Sequence, residues 1–178
     1  VIELCNHIIG HVNEEFGKYT NSLKGKFKFG LSSPAYIDQG KVTKASLDGR
    51  RDGDPLSTHI SVNDGSVAYT ELFCFASKLK YGEYTANGNV VDVIFSPDMV
   101  RNNKDKFASL IYGAIRQGVY EIQINVMSSS MLIEAKTHPE LYPNLIVRVW
   151  GFSAYFNDLP EEYQNLLIKR AIESEKTN

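Results

Sequence analysis

Residues 139–156 read PELYPNLIVRVWGFSAYF. The apolar run LIVRVW over 145–150 has strand character, and Gly151 stands where the strand pattern RVWGFSAYF would continue. A glycine inside a strand removes a side chain and adds backbone entropy, so it marks either a bulge or a place where the backbone must be reached. The spacing leaves both readings open.

Working outward, GNVVDVIFS (88–96) is β-branched and bounded by turn residues, which predicts a strand. Asn103 is placed to cap a helix over KDKFASLIYGAIRQG (104–118), whose apolar residues Phe107, Leu110, Ile111, Ala114 and Ile115 form one stripe ending near Gly118. In VYEIQINVM (119–127), Tyr120, Ile122, Ile124 and Val126 alternate with Glu121, Gln123 and Asn125, predicting a strand with one core face and one polar face. A short helix over 129–138 stops at Pro139. Beyond the glycine, Pro160 opens a last helix with the stripe Tyr163, Leu166, Leu167 and Ala171, and Lys169 and Arg170 are expected in its final turns as dipole partners. Strands alternating with helices over 88–150 predict an α/β fold with a parallel sheet.

The first part of the chain has a different texture. Val1, Leu4, Cys5, Ile8, Val12 and Phe16 predict a helix over about 1–18 with that stripe buried. KGKFKFGL (24–31) alternates like a strand, and 32–65 is rich in glycine, proline, serine and aspartate, a loop long enough to line a site or lean on a partner surface. Helical spacing returns over 68–80. One domain over 1–178 is expected, with 1–65 as helix, strand and long loop, and 66–178 as βα units carrying the Gly151 loop and the C-terminal helix. The chain opens on Val1 within a helical pattern, which suggests a cut from something longer.

A net charge of −2 with interspersed signs offers no footprint for nucleic acid, and no apolar run approaches the ~20 residues that cross a bilayer. Without a signal-peptide pattern the expected location is cytoplasmic. Cys5 and Cys74 lie in helical patterns without CxxC spacing, which predicts small core residues and neither a disulfide framework nor a zinc site.

The glycine segment with its flanks resembles the C-terminal signature of the glycyl radical enzymes, the family of pyruvate formate-lyase and of radical eliminating lyases. Further matches run in order along the chain: Asp48-Gly49-Arg50-Arg51 with Gly53 and Pro55, then GNVVDVIFSP, then the strand with Gln123, Asn125 and Val126, then HPELYPNLIVRVWGFSAYF. The departure is Trp150, where the family pattern has a small residue. The resemblance implies the C-terminal part of a ten-stranded β/α barrel built from two half-barrels with the glycine loop in the middle. It implies that Gly151 stores a glycyl radical made by a partner activase, which uses S-adenosylmethionine and an iron–sulfur cluster. Without Cβ, a Cα radical flattens without strain and is open to close approach. Val149, Trp150, Phe152 and Tyr155 are then expected to shield it from water and dioxygen.

In the family the stored radical passes to a cysteine on another loop, for C–C cleavage as in formate acetyltransferases or for elimination as in dehydratases and lyases. Neither Cys5 nor Cys74 fits that role, so the remainder of the enzyme is an expected partner, alongside self-association through an exposed apolar face. GFSAYF looks closer to the eliminating lyases. The competing reading is a non-catalytic α/β binding or interaction domain in which Gly151 is a bulge.

Four further features carry two readings each. Arg50 and Arg51 hold an anionic substrate group or form ion pairs with Asp48, Asp52 and Asp54. Gln123 and Asn125 face a substrate cavity or form the polar side of a half-exposed strand. His7 and His11 have the i, i+4 spacing of metal ligands but lack a third, so no metal is expected. Lys24, Lys26 and Lys28 beside Phe27 and Phe29 suit a nucleic-acid platform or, more simply, a lysine-guarded edge strand.

Overall fold

A computed structural model of the chain describes residues 1–31, 35–62, 67–84, 87, 90–149 and 151–177. Its elements are α1 (Ile2–Gly17), α2 (Tyr36–Val42), α3 (Tyr69–Ser77), α4 (Tyr81–Tyr84), β1 (Val90–Phe95), α5 (Pro97–Asn102), α6 (Lys104–Arg116), β2 (Glu121–Val126), α7 (Ser129–Thr137), β3 (Ile146–Val149), β4 (Phe152–Tyr155) and α8 (Glu161–Thr177), with short 3-10 turns at Pro139–Leu141 and Phe156–Asp158.

The centre is β1, buried along its whole length, as a continuous apolar run covered on both faces should be. It pairs in parallel with β2, Val91 opposite Ile122 and Val93 opposite Ile124, and α5 and α6 make the crossover. Ser96 starts that crossover by accepting the Met99 N–H at 3.1 Å, with Pro97 at the first helical position. On the other edge, Ile60 donates its N–H to the Val90 carbonyl and accepts the Asp92 N–H, so residue 60 continues the parallel sheet.

Two cores lie back to back across β1. Val91, Val93 and Phe95 pack with Leu72, Phe73, Ala76 and Ala114 of the flanking helices, while Ile94 joins Leu132, Ala135, Val147, Val149, Phe156, Leu167 and Ala171. The second core seats the β3–β4 hairpin. Helix α8 is tied into it by a buried ion pair, Arg170 Nη1 to Asp92 Oδ2 at 2.7 Å, with Arg170 Nη2 on the Asp92 carbonyl at 3.0 Å.

Several expectations are corrected. RVWGFSAYF is not one strand. Gly151 has φ +80°, a left-handed conformation that reverses the chain between β3 and β4, pairing Val149 with Phe152 and Ile146 with Tyr155. In α1 the inward residues are Ile9 and, in part, Cys5 and Val12, while Val1, Leu4, Ile8 and Phe16 are exposed. KGKFKFGL forms no strand. It has a single antiparallel bridge between Thr20 and Lys26, and Lys24 at φ 63° breaks the extended run. The long loop contains α2, whose Gly40 lies against the backbone of Asp54 and Pro55. Arg170 is no dipole partner at a helix end, because α8 runs on to Thr177.

Candidate functional site

The hairpin carrying Gly151 is not joined to β2 by a backbone ladder. Side chains of β2 replace one. Asn125 accepts the Arg148 N–H at 2.8 Å and donates its Nδ2 to the Arg148 carbonyl at 3.0 Å, imitating a strand partner. Gln123 donates to the same carbonyl at 3.3 Å and accepts the Gly151 N–H at 2.8 Å. Arg148 folds back along its own hairpin, Nη2 to the Gly151 carbonyl at 2.8 Å and Nη1 to Ser153 Oγ at 3.1 Å. Both backbone groups of Gly151 are therefore engaged.

The apolar side of β2 packs on the helices as the alternation predicts, but its polar side is covered as well. Gln123 and Asn125 are 5% and 3% exposed, whereas Tyr120 and Val126 lie outward and Ile122 and Ile124 are half-buried against the helices. The amide side chains are neither a solvent face nor free for a ligand, since the hairpin backbone satisfies them, as burial of such groups requires. Alternation showed that the two faces differ. It did not show which one another backbone would cover.

The Cα of Gly151 is open on its side-chain side: apart from its chain neighbours, nothing described lies within 4 Å of where a Cβ would stand. Of the expected shielding residues, Val149 is buried beside the hairpin tip, while Phe152 is 72% and Tyr155 46% exposed. Trp150 lies outside the described residues.

Arg50 organises a loop. Its guanidinium donates to the carbonyls of Arg51 at 3.0 Å, Asp54 at 2.8 Å, Thr43 at 3.2 Å and also Lys44. The carboxylate partners go elsewhere, Asp52 to Lys44 and Asp48 to Ser46 and the Arg50 N–H. The Ser46 bond, with the Arg50 N–H second, holds the Asp48 carboxyl below its usual range. Arg51 is exposed, and among the described residues no hydrogen bond links either arginine to Gly151, Gln123 or Arg148. His7 and His11 stack in parallel with ring centres 6.5 Å apart. Among the described residues no three His, Cys, Asp or Glu gather as a metal site, both cysteines are unpaired thiols, and no helix is long and apolar enough to cross a membrane.

Sequence reasoning passed over Arg148 and Asp92. Arg148 is the one charged residue in an apolar strand three positions before the glycine, and Asp92 interrupts VVDVIF; each is a signal of a specific partner.

Residues 61–157 match the family model described as glycine radical. The chain is 31% identical to trans-4-hydroxy-L-proline dehydratase of Clostridioides difficile over 79% of its own length and 18% of that enzyme's. It is 32% identical to isethionate sulfite-lyase of Desulfovibrio desulfuricans over 91% of its length and 20% of that enzyme's. A solved structure from work on 1,2-propanediol dehydration in Roseburia inulinivorans superposes with a TM-score of 0.83 at 29% identity, covering 95% of this chain and 22% of that one. The chain thus spans about a fifth of the length of these relatives.

Proposed function

From the premise that this chain belongs to the glycine radical family, we propose that Gly151 stores a glycyl radical. The observation that carries the reading is a hairpin-tip glycine whose peptide groups are both held while its Cα is bare on the side-chain face. A partner activase using S-adenosylmethionine and an iron–sulfur cluster supplies a carbon-centred radical. That radical takes one Cα hydrogen atom with its electron and leaves one unpaired electron on Gly151. A cysteine on the remaining polypeptide then yields its S–H hydrogen to Gly151 Cα and becomes the thiyl radical that attacks substrate. Relatives named as a dehydratase and a sulfite-lyase support elimination over acyl transfer.

The rest of the enzyme also supplies what this chain lacks. Ile146 and Tyr155 on one face of the hairpin, and Phe152 at its tip, are exposed apolar groups that a surrounding barrel would cover. Their burial there, with Val149 and Trp150, would complete the shield around the radical. Arg50 and Arg51 are assigned to loop structure, Arg50 by its carbonyl contacts.

The test is electron paramagnetic resonance after anaerobic activation of the full enzyme. One remaining Cα hydrogen splits the signal into a doublet, which narrows on glycine deuteration and disappears in Gly151→Ala. That variant is expected to fold, since beyond the chain neighbours its Cβ meets no described atom; the positive φ alone destabilises it by roughly 1–2 kcal/mol. Absence of any doublet with the cognate activase refutes the proposal.

A further inference from the structure

The radical-store reading, on which this inference rests, leaves open what Gln123 and Arg148 do for the electron. An unpaired electron on a glycine Cα is stabilised when the adjoining nitrogen releases density and the adjoining carbonyl withdraws it. An N–H that donates to an acceptor leaves its nitrogen richer in electrons. A guanidinium on a carbonyl oxygen makes that carbonyl poorer. Gly151 has both arrangements at 2.8 Å: its N–H on Gln123 Oε1 and its carbonyl under Arg148 Nη2.

We propose that Gln123 and Arg148 are positioning residues that polarise the two peptide groups of Gly151 in opposite senses and thereby stabilise the radical over the closed-shell glycine. The bonds favour the radical because only there does the Cα share its electron with both groups. No further atom moves; the N–H proton stays on nitrogen.

Fastening the hairpin does not by itself account for these two contacts. Asn125 already exchanges two hydrogen bonds with the Arg148 backbone, and Val147 and Val149 are buried beneath it. Gln123 reaches past that anchor to the glycine. Both contacts also come through multi-torsion side chains instead of a rigid ladder. They can follow the peptide planes as the residue turns from φ +80° toward the coplanar arrangement that conjugation requires.

The experiment compares the activated wild-type enzyme with Gln123→Leu, Arg148→Met, the conservative variants Gln123→Glu and Arg148→Lys, and a remote core variant, Leu79→Ala, using glycine labelled with nitrogen-15. Gln123→Leu is expected to lower the nitrogen hyperfine coupling and shorten the doublet's lifetime under argon by about three- to tenfold, the factor of one hydrogen bond. Arg148→Met shortens it by at least as much, because its bond is charge-assisted. Gln123→Glu and Arg148→Lys, which keep the acceptor and the cationic donor, recover most of each loss. Leu79→Ala lowers the melting temperature yet leaves coupling and lifetime at wild-type values.

A wild-type doublet that Gln123→Leu and Arg148→Met leave unchanged overturns the polarising role while the radical store stands. An equal loss in Leu79→Ala does the same by assigning the effect to folding. Absence of the wild-type doublet removes the radical-store reading and this inference with it.

Discussion

Replacing Arg170 with methionine tests how α8 holds the sheet beneath the hairpin. The Arg170 and Asp92 side chains are only 5% and 2% exposed, joined at 2.7 Å, with a second guanidinium bond to the Asp92 carbonyl. Methionine fills much of the same volume but leaves a buried carboxylate without its cation, a change that destabilises by about 3–5 kcal/mol. With a urea dependence of about 2 kcal/mol per molar, the unfolding midpoint should fall by roughly 2 M. Removing both charges in Asp92→Asn/Arg170→Met restores most of the loss, since no buried charge then remains unpaired. Urea titration followed by circular dichroism on the wild type, the two single variants and the double variant completes the cycle. A loss below about 1 kcal/mol in Arg170→Met, or simple additivity in the double variant, refutes the assignment.

Two other perturbations follow from local geometry. Gly40→Ala would set its Cβ 2.4 Å from the Asp54 carbonyl oxygen and 2.7 Å from the Pro55 Cα, both backbone, so α2 and the Arg50 loop must part. A loss of about 1–3 kcal/mol or more is expected, with faster proteolysis near residue 54; wild-type stability would show the contact to be absent. His59 is pushed below 6.5 first by burial and further by Arg170, against the opposing pull of Asp92 and Glu121. Its folded-state value is depressed, so the unfolded chain takes up the proton first. Stability should therefore fall as pH drops below about 6.5 and show no slope from this residue above it. Melting temperatures between pH 7.5 and 5 check this against His59→Asn, which tolerates the φ of 54° and should flatten the acid slope; an unchanged slope assigns it elsewhere.

Legibility in the sequence followed the kind of signal each residue carries. The β-branched run of β1, the stripe of α6 and the proline start of α8 announce themselves because local propensity and tertiary burial agree there. Gly151 was found through its flanking motif, since spacing alone also allowed a bulge. In β2 the alternation marks Ile122 and Ile124 as the helix-facing side, but only the returning hairpin shows that Gln123 and Asn125 are buried too, because hydropathy carries no signal of a backbone that the amides will bond. Helix α2 was hidden because Tyr36, Ile37 and Gly40 are too few inward positions to set a period. KGKFKFGL has the alternation of a strand but, among the described residues, no ladder beyond the Thr20–Lys26 bridge.

The polar face of β2 and the glycine at the hairpin tip are two parts of one solution. On the proposed reading, a store for reactive electron density must be rigidly placed and yet approachable at one atom. A regular ladder with β2 would place the hairpin, but it would also lay backbone along the tip. Asn125 supplies the hold at Arg148, one residue pair back from the tip, and the buried Val147 and Val149 set its depth. Among the described residues one side-chain bond then reaches each peptide group of Gly151, leaving the Cα face open beyond its chain neighbours. Any other residue at 151 would add a Cβ over the atom proposed to carry the radical and would take on the strain of φ +80°. The buried amides are needed for the same reason that the glycine is: together they replace backbone contact with contacts that stop short of the Cα.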